Sequence, residues 1–173
     1  MSTTSPVRTA VKTMLENDLV QPDLPSGILT VYAYPEDGSD EIKITTFPTI
    51  VVKKGVYDES DPWRRVTQSI LHFPWWLEII VFLSKSKLPD WQTQQLSEDW
   101  EHALATLLIQ QPTLNGTIEH IIQGEGGEFL YFREGFWDWY TEDIRNPDSY
   151  WGVGVRMQVV QSYDYAETVG VDN

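Results

Sequence analysis

Three histidines, two carboxylates set in apolar runs and one dense aromatic stretch are the residues whose types could do chemistry in this chain. His72 precedes an apolar run, His102 sits in a helical pattern and His120 in a strand-like one. None has a metal-binding spacing, and Glu101-His102 lacks the second histidine of the zincin helix. All three read as structural or surface histidines. Glu78 and Glu119, with Arg156, are charges inside otherwise apolar strands. Paired carboxylates there could act as acid and base in hydrolysis. They could equally form cross-strand ion pairs or a charged face that meets a neighbouring subunit. No nucleophile or glycine elbow accompanies them, which favours the ion-pair reading. Gly124-Glu125-Gly126-Gly127 is glycine-rich, but no Lys-Ser/Thr follows and Glu125 would repel phosphate, so it reads as a turn. The absence of cysteine removes disulfides, thiolate metal sites and thiol nucleophiles. Neither a cofactor nor a metal is expected, and the chain does not read as an enzyme.

The aromatic stretch holds Phe129, Tyr131, Phe132, Phe136, Trp137, Trp139 and Tyr140, interleaved with Glu128, Glu134, Asp138, Glu142 and Asp143. Such a surface could stack sugars, and its acids disfavour nucleic acid. Trp and Tyr on a loop-like segment are also the anchors that protein interfaces use. Tyr57, Trp63, Phe136, Trp137, Trp139 and Tyr140 are therefore the candidate interface residues, with carbohydrate or small-ligand binding as the alternative.

Charge narrows the partners. The 173 residues carry 12 basic and 26 acidic side chains, a formal net charge of −14. The imbalance is uneven: residues 1–87 hold 9 basic and 11 acidic residues, whereas 88–173 hold 3 and 15. Such a chain lacks the cations that displace counterions from nucleic acid. The excess serves solubility, or it repels a polyanion that must pass without sticking. No apolar core marks residues 1–10 as a signal peptide. The run Trp75–Leu83 is too short to span a bilayer, so no membrane partner is expected. Asn115-Gly116-Thr117 matches a glycosylation acceptor that has meaning only on a secretion route.

These residues need a frame, and the length suits one domain over residues 1–173. Residues 1–5 read as frayed. Ser5-Pro6 starts a helix with Val7, Ala10, Val11, Met14 and Leu15 on one face, ending near Leu19. Residues 27–34 and 42–53 read as strands, the second entered through Phe47-Pro48, and 54–67 reads as a polar loop. The segment 72–84 alternates apolar residues on both faces, as a central strand does. A helix follows from Trp91 or Ser97 to Gln111, with Trp100, Ala103, Leu104, Leu107 and Leu108 as its stripe. Strands are expected at 114–123 and 150–163, an aromatic hairpin-like insert at 124–149, and an acidic tail at 164–173. The fold class is α+β: a mostly antiparallel sheet of four to five strands with two main helices packed on one face.

In order and spacing, several phrases resemble the tail terminator (tail completion, or minor tail) proteins of long-tailed bacteriophages. They are the opening amphipathic helix, Phe47-Pro48-Thr49-Ile50-Val51-Val52, Trp76 to Leu83, and Trp100 with Leu104, Leu107 and Leu108. Leu114-Asn115-Gly116-Thr117-Ile118 and Tyr150-Trp151-Gly152-Val153 complete the likeness, which spans most of residues 5–163. The insert departs from the compact family pattern, which leaves a neighbouring neck or adaptor component as an alternative. The resemblance implies a hexameric ring without catalytic residues at the head-proximal end of the tail. It implies the tail tube protein and the neck or head–tail connector proteins as partners, with DNA passing through the channel unbound. The setting would be the virion, and the host cytoplasm during assembly.

Overall fold

The computed structural model describes residues 5–22, 29–34, 42–55, 65–85, 90–122, 130–139 and 148–164. The expectations for Tyr57, Trp63, Tyr140, the Gly124 turn and the chain beyond Asp164 lie outside these residues. The elements, in order, are α1 (Ser5–Asp18), β1 (Thr30–Ala33), β2 (Thr49–Lys54), β3 (Arg65–Thr67) and β4 (Ile70–Ser84). Then come α2 (Asp90–Gln110), β5 (His120–Ile121), β6 (Tyr131–Trp139) and β7 (Asp148–Asp164).

All seven strands belong to one sheet built on β4 and β7, of 15 and 17 residues. These two pair antiparallel from Ile70↔Asp164 to Ser84↔Trp151, with a register shift between Phe82 and Ser84. On the outer side of β4 lie β2 and, further along, β3. On the outer side of β7 lie β6 and β5. Parallel pairing occurs between β1 and β2, so the sheet is mixed but mainly antiparallel. The Phe47–Pro48 peptide preceding β2 is cis.

Alternation of side chains divides the sheet into two faces. Leu77, Ile79 and Val81 of β4 and Val153, Val155, Met157 and Val159 of β7 point to one face. There they meet Val7, Val11, Met14 and Leu15 of α1 and Trp100, Leu104, Leu107 and Leu108 of α2. Both helices contribute their apolar stripes to this cluster. Burial of each such aliphatic side chain stabilises the fold by about 1.5–3 kcal/mol. A smaller cluster covers one end of the other face: Ile42, Ile44, Val51, Ile80, Phe82 and Tyr150, with Trp137 and Trp139 against it.

The structure corrects five expectations. Residues 131–139 do not project as a hairpin-like insert; they form a nine-residue strand of the sheet, in register with β7 from Tyr131↔Arg156 to Trp139↔Asp148. The sheet consequently has more strands than four to five. The strand expected over 114–123 shrinks to His120–Ile121, because Leu114, Asn115 and Gly116 take left-handed conformations (φ 46°, 58° and 77°) that curl the chain. The polar loop expected over 54–67 ends in β3, a short exposed strand joined to β4 through Gln68 at φ 54°. The strand expected over 42–53 becomes regular only at Thr49.

Candidate functional site

The sheet face away from the helices carries a row of polar side chains across four strands. Lys53 of β2 stands opposite Glu78 of β4, Glu78 opposite Arg156 of β7, and Arg156 opposite Tyr131 of β6. Lys53 Nζ lies 3.6 Å from Glu78 Oε1, which makes the expected cross-strand ion pair. Glu78 is nearly buried, so the lysine offsets a charge that would otherwise be costly there.

Aromatic rings hold the cations of this face in place. The Arg156 guanidinium lies 4.7 Å from the centre of the Trp76 ring, and Trp76 meets Tyr131 edge-on at 5.9 Å. Arg133, two residues along β6 from Tyr131, lies 3.8 Å over the Trp137 ring and donates to the Phe136 carbonyl at 3.1 Å. A planar guanidinium on an indole is attracted by the ring's negative face and loses little freedom when it binds an anion. Between the two stacks lies a cleft of about 250 Å³, lined by Glu78, Tyr131, Arg133, Trp137, Gly154 and Arg156. Gly154 is required there: an added Cβ would stand 2.5–2.7 Å from the Trp137 ring atoms. The indole N–H groups of Trp76 and Trp137 are buried and find no acceptor among the described residues.

The opposite face of β6 is acidic. Glu134 and Phe136 point toward the helix side, where Phe136 stacks on Trp151 at 5.1 Å and stays 47% exposed. Burial raises the Glu101 carboxyl above its ordinary range, and the charges of Glu134 and Glu98 raise it further. The Tyr150 hydroxyl is raised by burial and by Asp148, to which it donates at 3.4 Å.

Glu78 and Glu119 are not brought together. Glu119 instead bonds His72 through Nδ1, while His72 Nε2 lies 2.7 Å from the Thr67 hydroxyl. A hydroxyl, an imidazole and a carboxylate in line is the arrangement of an activated nucleophile. Here the hydroxyl belongs to the exposed hairpin of β3 and β4, and neither Thr67 nor His72 lines the cleft above or the two cavities below. The contacts pin that hairpin to the segment leading into β5. His102 lines a cavity of about 410 Å³ between α2 and residues 18–22, and His120 one of about 240 Å³ beside Pro112. Among the described residues no group of His, Asp and Glu is placed to hold a metal ion, and no helix is long and apolar enough to cross a membrane.

Of the interface candidates, Phe136 is exposed, whereas Trp137 and Trp139 are half-buried on the other face. Trp139 donates to the Ile42 carbonyl at 3.0 Å and meets Tyr34 and Phe82 edge-on. Sequence reasoning passed over Arg133, Lys53 and Trp91, the last 67% exposed on the first turn of α2. Arg133 carried a signal all the same, as one of only three cations in residues 88–173. No protein-family model matches the chain, and no curated protein matches it in sequence.

Proposed function

We propose that the chain is a tail terminator: a structural subunit whose ring, of six copies, caps a phage tail tube, stops its growth and offers a surface for joining the head. The observation that carries this reading is β6, an outer strand with a cation–aromatic cleft on one face and an acidic, aromatic surface on the other. A subunit of a closed ring needs two such different, outward-facing surfaces. The order of elements and the two helices on a single face agree with the family resemblance.

In this reading the tail tube protein and the neck proteins are the partners, and DNA passes through the ring without specific contacts. The acidic excess of residues 88–173 then suits a channel that must not hold phosphate, since carboxylates repel it within roughly 8–10 Å. The role is structural and involves no catalysis.

The test is assembly in vitro. Purified protein added to polymerising tail tubes should stop elongation at one end, and phage lacking it should make tails of uncontrolled length that do not join heads. Normal, joined tails in that mutant would sink the proposal.

A further inference from the structure

We propose that the Arg133–Arg156 cleft receives the acidic face of α2 and β6 from a second copy of this chain, so that subunits join head to tail. The inference rests on the ring reading above and names the contact that would build the ring.

Charge selects the occupant. The half of the chain from residue 88 has three basic residues against 15 acidic ones. Two of the three, Arg133 and Arg156, flank this single cleft. Lys53 approaches from the far side and pairs with Glu78, the one carboxylate among the described lining residues. Among the described lining residues cations thus outnumber carboxylates, on a strongly anionic molecule. Another copy of the same molecule supplies carboxylates in excess.

Geometry selects the surface on that copy. Glu98 of α2 and Glu134 of β6 lie close enough to Glu101 for their charges to raise its carboxyl. Guanidinium groups brought against them would relieve that repulsion. Phe136, exposed beside them, supplies an apolar anchor. At about 250 Å³ the cleft falls below the usual size of small-molecule pockets, yet it holds one or two side chains. Both guanidiniums are already stacked on tryptophans, so little ordering is left to the moment of binding.

Topology then dictates the form of the assembly. Arg133 and Glu134 are neighbours in β6 and point to opposite faces. The two surfaces are different patches, so each subunit offers one to the copy before it and the other to the copy after it. Such a contact is heterologous and generates a ring when the rotation closes.

Sedimentation of the full chain tests this, with circular dichroism confirming that each variant folds. Arg133→Glu and, independently, Glu134→Lys should each raise the concentration needed for assembly about tenfold or more, and high salt should do the same. Glu134 is exposed, so its reversal tests the contact even if Arg133→Glu disturbs the Trp137 stack. Combining the two changes exchanges the charges of both faces and should recover most of the loss. Assembly insensitive to both reversals overturns the contact while leaving the ring reading standing. So does a double variant weaker than either single one, whereas a monomer that still caps tubes overturns the contact and the ring together. A monomer whose tryptophan fluorescence responds to an oligoglutamate peptide assigns the cleft to another acidic chain and overturns self-contact. A protein that neither assembles nor caps tubes overturns both proposals.

Discussion

Glu101 and Gly154 show how single side chains set the terms for the surfaces around them. The Glu101 carboxyl is raised by burial first and by Glu134 and Glu98 after it, so the folded state holds its proton more tightly than the unfolded chain does. Stability attached to this group is therefore fully present at low pH. It is lost as pH rises from the ordinary carboxylate range through the raised value. Glu101→Gln should flatten that fall and add up to roughly 1 kcal/mol near neutrality, since solvent screens a partly exposed group. Denaturant titrations across the acid range will measure it, and a variant with the wild-type pH profile would contradict the assignment. Gly154 makes the complementary case. Its missing Cβ is the space in which the Trp137 ring lies. Gly154→Ala should cost about 1–3 kcal/mol through overpacking. It should also displace the indole, visible as a change in near-ultraviolet circular dichroism. At Gly152 the obstacle is the Val81 carbonyl, which cannot swing aside as a side chain can.

Among the elements, β6 would, in the proposed ring, separate stability from assembly within one strand. Trp139 ties it across the sheet to Ile42, Tyr34 and Phe82, whereas Phe136 on the other face stays half in solvent. Trp139→Ala should lower stability by about 2–3 kcal/mol, less than full burial would give. Phe136→Ala should leave stability within about 0.5 kcal/mol and weaken assembly. Thermal unfolding and sedimentation of the two variants will decide, and equal losses of stability would merge the roles that the strand keeps apart.

The same strand marks where the sequence was legible. β4 could be read because both of its faces are apolar, and the helices because their stripes recur at helical spacing. β6 could not, because its aromatic and charged residues alternate as they do in an exposed loop. Only the register against β7 reveals that Arg133 and Trp137 share a face. β3 has three exposed residues and no apolar pattern, and β5 is masked by the left-handed turn at Leu114 and Asn115. Glu78 and Arg156 were visible as charges inside apolar strands. Lys53, which completes their row, was not, because cross-strand neighbours are remote in sequence.

For the molecule as a whole, the position of β7 governs when the fold can exist. This strand lies C-terminal to β4, β5 and β6, and it pairs with all three. During synthesis β4 emerges with both faces apolar and its longest partner still untranslated. The sheet closes only after residues as far apart as Ile70 and Asp164 meet, a non-local pairing that makes folding slow. Until then the nascent chain exposes a hydrophobic strand edge of the kind that associates with other chains. A chain stopped before Asp148 should therefore be protease-sensitive and aggregate, even though it retains both helices and six of the strands. Limited proteolysis of ribosome-bound chains of increasing length should show protection arising in one late step, after β7 has left the exit tunnel, and not element by element.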